Sequence, residues 1–341
     1  MFIPRKKRVS LFRQQVEKEW REYFWKFILK YSNKVYWKVI SCNPNITMDI
    51  IEKNLDKPWD WKSISHNPNI TMDIIEKYPD KPWRWWAITE NPNITIDIIE
   101  NNPDKPWQIY NSISLNPNIT VEFIEKHSNI PWDWNWISSN PNISPTIINK
   151  YPNKPWDWEV ISYNPNITIE FIEMHLDKPF NWNIISKNPN ISIAIIEKNL
   201  DKPWNWDYVS YNSNITMDII EKYPDKPWNW YSISCNPNIT MDIIEKYYDK
   251  PWDWNGISDN PNITMEFIEK HPDKLFDWKL ISKNPKITMD IIDKYLDKPW
   301  DWESISCNEF TKEKELFTER CVRKYLAAYR IQQYWNKAIK Q

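Results

Sequence analysis

Asn67-Pro68-Asn69-Ile70-Thr71-Met72-Asp73-Ile74-Ile75-Glu76-Lys77-Tyr78-Pro79-Asp80-Lys81-Pro82-Trp83-Arg84-Trp85-Trp86-Ala87-Ile88-Thr89-Glu90 is one period of this chain. The asparagine that opens it returns at Asn43, Asn67, Asn91, Asn116, Asn140, Asn164, Asn188, Asn212, Asn236, Asn260 and Asn284, every 24 residues except for a step of 25 between Asn91 and Asn116. Self-similarity at such a period marks a stacked repeat architecture. Eleven units cover residues 43–307. A half unit, Trp37 to Cys42, precedes them, and a twelfth opening at Asn308 fails at Glu309-Phe310.

Each unit holds two helix starts. Thr71 supplies an N-cap hydroxyl, and Asp73 puts a negative charge in the first turn where the helix dipole favours it. Every copy keeps a hydroxyl at this position, and Ser144 is followed by Pro145, a residue favoured at the first helical position and not deeper. Helix A then runs about two turns with Ile74, Ile75 and Tyr78 on one arc and Asp73, Glu76 and Lys77 opposite. The Pro79–Pro82 segment ends it, and Pro82 is expected to open helix B, whose Trp85, Ile88 and Thr89 share a face. Helices this short are unstable alone in water, so the units must stack on one another. The expected fold is all-α: an α-solenoid of short two-helix 24-residue repeats with helical caps. Layers packed at about 8–10 Å give a body on the order of 100 Å along its axis.

The phrase Ser-x-Asn-Pro-Asn-Ile-Thr, followed by an amphipathic helix, an Asp-containing turn and a second short helix, resembles the leucine-rich repeat variant class. That resemblance implies alternating α and 3₁₀ or short α helices in a right-handed superhelix. Here helix B carries Trp where that class has aliphatic residues, and Ile replaces most of its Ala and Leu. The Pro-Trp-Asp-Trp wording is similar to uncharacterised tandem-repeat proteins of giant DNA viruses of amoebae, and the wealth of Lys, Asn, Ile and Tyr suits an AT-rich genome.

Composition removes several functions. The chain of 341 residues has a single glycine, Gly256. Phosphate-cradling loops, dinucleotide fingerprints and nucleophile elbows need several, so no cofactor is expected. No stretch approaches the roughly 18 apolar residues that span a bilayer, and Met1–Phe12 lacks an apolar signal core, so an intracellular, soluble chain is expected, in a host cytoplasm or a virion, with the nucleus reachable through the basic run Arg5–Arg8. Cys42, Cys235, Cys307 and Cys321 form no CxxC pair, which suits a reducing compartment. Asp and Glu recur in every unit, whereas catalysis needs one distinct constellation; a non-enzymatic scaffold for protein–protein interaction is expected. His127, His175 and His271 follow Phe123, Phe171 and Phe267 at i+4 and lie many units apart, a packing pattern and not a metal site.

Twenty of the 25 tryptophans fall in two columns. The first runs Trp59, Trp83, Trp107, Trp132, Trp156, Phe180, Trp204, Trp228, Trp252, Phe276, Trp300. The second begins at Trp37 and continues through Trp61, Trp85, Trp134, Trp158, Trp182, Trp206, Trp230, Trp254, Trp278 and Trp302, interrupted at Ile109-Tyr110. They read either as a stacking platform for single strands or Pro-rich peptides, or as core. The second column shares the face of the helix B isoleucines and reads as structural core; the first lies nearer the variable face. One lane varies freely: Cys42, His66, Glu90, Leu115, Ser139, Tyr163, Lys187, Tyr211, Cys235, Asp259, Lys283 and Cys307, together with the pairs after the second Trp. It is either unconstrained solvent surface or the face on which a protein partner is read.

The flanks differ from the body. Residues 1–42 carry 11 basic and 3 acidic side chains, residues 309–341 carry 8 and 4, and the body is left with 25 against 39. An acidic body argues against a duplex-binding surface along it, while the basic ends keep open a nucleic-acid-associated role. Residues 10–31 read as an amphipathic cap helix within an N-terminal segment 1–42, and Cys321–Ile339 as a second cap within 308–341. Within that second cap, Ile331–Lys337 is similar to a degenerate calmodulin-binding IQ motif that lacks the Arg and Gly of its centre.

Overall fold

The structure, a computed structural model, describes residues 5–338 apart from 108–111, 129, 141 and 165, with side chains described from residue 9 to 329. Among the described residues every regular element is helical. Short helices A and B alternate as the period requires: A at Met48–Lys53, Met72–Lys77 and so on to Met289–Lys294, B at Trp37–Ile40, Trp61–Ile64 and so on to Trp302–Cys307. The chain is an all-α solenoid. Two longer helices, Arg5–Lys30 and Thr311–Ala338, flank it.

Local chemistry explains both starts. The hydroxyls of Thr95, Thr120, Ser144, Thr168, Thr240, Thr264 and Thr288 accept from the amide three residues on, and the other A helices begin at the same register without that bond. Helix B does not open at the proline. It opens at the second Trp, because the residue between the two tryptophans is Asp or Asn in most copies and caps it. Asp60 accepts from Lys62 N, Asp157 from Val160 N, and Asn205 from Asp207 N and Tyr208 N. Pro82 and Trp83 belong to the extended stretch before the helix.

Between units runs a buried polar ladder. Asn67 Nδ2 donates to the carbonyls of Ser41, Asn43 and Ile46 in the preceding unit at 3.2, 3.1 and 3.0 Å, while its Oδ1 accepts from Asn69 N. Ser41 Oγ accepts from Asp60 N of the next unit and donates to Trp37 O. The Asn-Pro slot and the small hydroxyl column therefore satisfy backbone groups that would otherwise be buried unpaired. Isoleucines such as Ile64, Ile70 and Ile75 fill the space around them.

The same bonds join the last unit to the first. Asn43 Nδ2 donates to Ser306 O at 3.1 Å and to Asn308 O at 3.2 Å, as Asn67 does to Ser41 and Asn43. Tyr36 N donates to Ser306 Oγ at 2.9 Å, as Asp60 N does to Ser41 Oγ. Lys30 and Tyr31 reach Asp293, where Lys77 and Tyr78 reach Glu52. Lys34 lies 5.0 Å over Trp302, as Lys81 lies 4.7 Å over Trp61. The solenoid is a closed ring. The C-terminal part of Arg5–Lys30 serves as an A helix and, with Trp37–Ile40, completes a twelfth unit. The axial length expected of a rod becomes a circumference, and the flanking helices cap no free ends.

Instead the two flanking helices meet as an antiparallel pair. Phe12 packs on Tyr325 (ring centroids 4.4 Å apart), Glu17 pairs with Lys314 at 2.9 Å, and Trp20 meets Phe317. Phe310, at φ 51°, turns the chain out of the repeat and buries its ring between Phe24 and Phe27. Glu313, almost fully buried, accepts from Tyr23 OH at 2.9 Å and Met289 N at 2.7 Å.

Candidate interaction surface

Neighbouring B helices are in close backbone contact along most of the ring, with Cα atoms within 8 Å, whereas no comparable contact joins neighbouring A helices. In a closed ring the crowded layer is the inner one. The B helices therefore line the inner wall, and the variable lane at their C-terminal ends lies on it. One concavity of about 500 Å³ runs along five consecutive lane positions, from Tyr163 to Asp259, with Pro189, Ser213, Pro237 and Pro261 beside them. A convex surface would not hold a continuous hollow across five units.

The lane residues differ in access. His66, Ser139, Tyr163, Tyr211, Asp259, Lys283 and Cys307 are exposed; Cys42, Glu90, Leu115 and Lys187 are half-buried; Cys235 is buried. Burial, with the Asp259 charge beside it, pushes the Cys235 thiol up to about 12, so it is no nucleophile. Burial also raises the Cys42 thiol.

The sequence pattern separates the aromatic columns differently from the structure. The first-column Trp rings are the more deeply placed, five of them 6–9 % exposed, and the indole N–H of each donates to the carbonyl at the C-terminal end of its own unit's helix A, as Trp59 does to Asn54 O at 2.8 Å. The second column, Trp61, Trp85, Trp134, Trp158, Trp182, Trp206, Trp230, Trp254, Trp278 and Trp302, is half-buried against the core. Its rings pack edge-on to the first-column ring of the next unit, Trp61 to Trp83 at 5.4 Å and Trp206 to Trp228 at 5.1 Å. Turn lysines cover several of them, including Lys81 over Trp61 and Lys226 over Trp206. The wheel misplaced the first column because helix B begins after it. These rings and lysines cover much of the surface that a stacking base would use.

His127, His175 and His271 pack on Phe123, Phe171 and Phe267 with centroids 4.3–4.5 Å apart, as their spacing suggests. Among the described residues no group of His, Cys, Asp and Glu is arranged to hold a metal ion, and no helix is long and apolar enough to cross a membrane. The side chains of Arg5–Arg8 and Ile331–Lys337 lie outside the described residues.

Periodicity did not reveal where most of the large exposed aromatics lie. Of the ten exposed Trp and Tyr side chains among the described residues, six, Trp86, Trp136, Tyr163, Tyr208, Tyr211 and Tyr231, sit on or at the end of B helices. Trp86 meets His66 of the lane at 4.8 Å, and Lys187 of the lane lies near Tyr208. The signal was present as aromatic residues in otherwise variable positions of single copies. Comparison with protein-family models, with curated proteins and with solved structures returned no match, so the likeness to leucine-rich repeat variants rests on the wording of the repeat.

Proposed function

We propose that the chain is a non-enzymatic scaffold whose inner wall binds a polypeptide partner. The observation that carries this is the set of six exposed Trp and Tyr side chains on the B-helix wall. Tyr and Trp offer large, rigid, amphipathic contact area at low entropic cost and dominate binding hot spots. The described charges on the lane nearly cancel, Lys187 and Lys283 against Glu90 and Asp259, which does not suit a phosphate backbone.

The test is selection of a displayed random-peptide library on the whole protein. Selected peptides should lose binding by tenfold or more to Tyr163→Ala and Trp136→Ala proteins and keep it when Glu76→Ala alters the outer surface. Peptides that bind all three variants equally would overturn the reading.

A second reading has one observation behind it. The two flanking helices, basic in sequence, lie side by side, bringing Arg13 and Lys18 onto the same hairpin as Arg320, Arg323 and Lys324. Salt-dependent binding of single-stranded oligonucleotides, lost when these five are changed to Gln, would support a nucleic-acid-associated role; no binding at low salt would dismiss it.

A further inference from the structure

The inner wall already seats one cation of its own. The Lys187 ammonium lies 5.6 Å from the Tyr163 ring centroid and 5.5 Å from that of Tyr208. Two units further on the same register holds Tyr211, Cys235 and Gly256 in place of Tyr163, Lys187 and Tyr208. The long ammonium arm has become a buried thiol, and the far ring has become a hydrogen atom.

Gly256 is also what lets the wall close in at this point. A methyl on it would stand 2.6 Å from Tyr231 O and 2.9 Å from Ser234 Cβ, so the only glycine of the chain permits close approach of the helices Trp230–Ser234 and Trp254–Asp259. Tyr231 is exposed beside this contact, and Tyr211 and Asp259 line the concavity. The Asp259 charge reaches both phenols, adding to burial in raising them. Asp259 makes no ion pair among the described residues, whereas Asp253 nearby is committed to capping Gly256 N. The other charges along this stretch of lane are Lys187, held between its own tyrosines, and Lys283 one unit beyond.

We propose that this part of the wall is a subsite for a cationic side chain of the partner, an arginine before a lysine, stacked on Tyr211 and Tyr231 and paired with Asp259. It deepens the polypeptide-binding reading and rests on it. A planar guanidinium stacks on aromatic faces and pairs with a carboxylate at once, which a compact ammonium does less well.

Saturation-transfer NMR titration of the whole protein with Nα-acetyl-argininamide and with its neutral isostere Nα-acetyl-citrullinamide tests it. The arginine compound should bind at least tenfold more tightly. Asp259→Asn, at an exposed position, should erase that preference, Tyr211→Ala should weaken arginine binding severalfold, and Glu76→Ala, on the outer surface, should leave it unchanged. Equal binding of the two compounds, or a preference that survives Asp259→Asn, would overturn the subsite. Displayed peptides that depend on Tyr163 and Trp136 but not on an arginine would likewise sink the subsite and leave the wall standing. An arginine preference with no wall-dependent peptide would overturn the wall and keep the subsite.

Discussion

Substituting Asn43 by Ala tests whether the ring is closed by the same ladder that builds its interior. The side chain serves three backbone groups at the closure: it donates to Ser306 O and Asn308 O and accepts from Asn45 N at 3.0 Å. Removing it leaves those groups buried without partners, at about 1 kcal/mol each, or about 3 kcal/mol in all. Asn260 makes equivalent bonds to Ser234 O, Asn236 O and Ile239 O inside the ring, so Asn260→Ala costs a similar amount. The difference lies in connectivity. Inside the ring the chain itself runs from one unit to the next, whereas no peptide link joins Trp302–Cys307 to Trp37–Ile40. Asn43→Ala should therefore open the closure, and about 3 kcal/mol corresponds to amide exchange on the order of 10²-fold faster in those two helices. Hydrogen–deuterium exchange read by mass spectrometry measures it. Unchanged protection at the closure in Asn43→Ala, with exchange rising only around the interior site in Asn260→Ala, would show that the helix pair at the flanks and not the ladder holds the ring shut.

The closure also carries a pH dependence. Burial holds the Glu313 carboxyl above its usual range. A carboxyl whose folded pKa is raised favours the fold below the unfolded pKa and loses that contribution as pH rises through the folded value. Stability should therefore fall with rising pH from about 4.5 upward, and Glu313→Gln, monitored by thermal melts across that range, should flatten the profile. Gly256→Ala, with its methyl 2.6 Å from a carbonyl oxygen, should cost about 1–3 kcal/mol in urea unfolding; a neutral outcome would mean the helix pair is free to separate. Among the described tryptophans iodide should quench chiefly Trp86 and Trp136, 42 % and 41 % exposed, so in a Trp335→Phe background the double change to Phe should remove most of the accessible fluorescence. Persistent quenching would mean that the Trp columns are open.

Much of this molecule is legible from one period of its sequence, and the reason is physical. Each unit repeats the same caps, breakers and buried columns, so a misjudged residue in one copy is corrected by ten others. Thr71 and Ser144 place helix A in both sequence and structure. Pro82 misled because proline is an acceptable first helical residue anywhere, while the better cap, Asp or Asn between the tryptophans, is replaced by Arg84 in the unit that opens at Asn67.

Closure is a different kind of quantity. Twelve units sharing a full turn rotate about 30° each, and an error of a few degrees per unit would turn the ring into an open superhelix. That angle is set by how near the B helices approach, through Ser, Ala and one Gly on their contact face, relative to the A helices with their Ile, Phe and Tyr. No single column encodes it. The nearest sequence signal of closure was the failure of two half units: a Trp37–Cys42 fragment without its own short helix A, and an Asn308 without its Pro. Asn308 opens the slot at the C-terminal end, and the C-terminal part of Arg5–Lys30 with Trp37–Ile40 supplies the two helices across the closure. Read together, they describe one unit divided between the two ends of the chain.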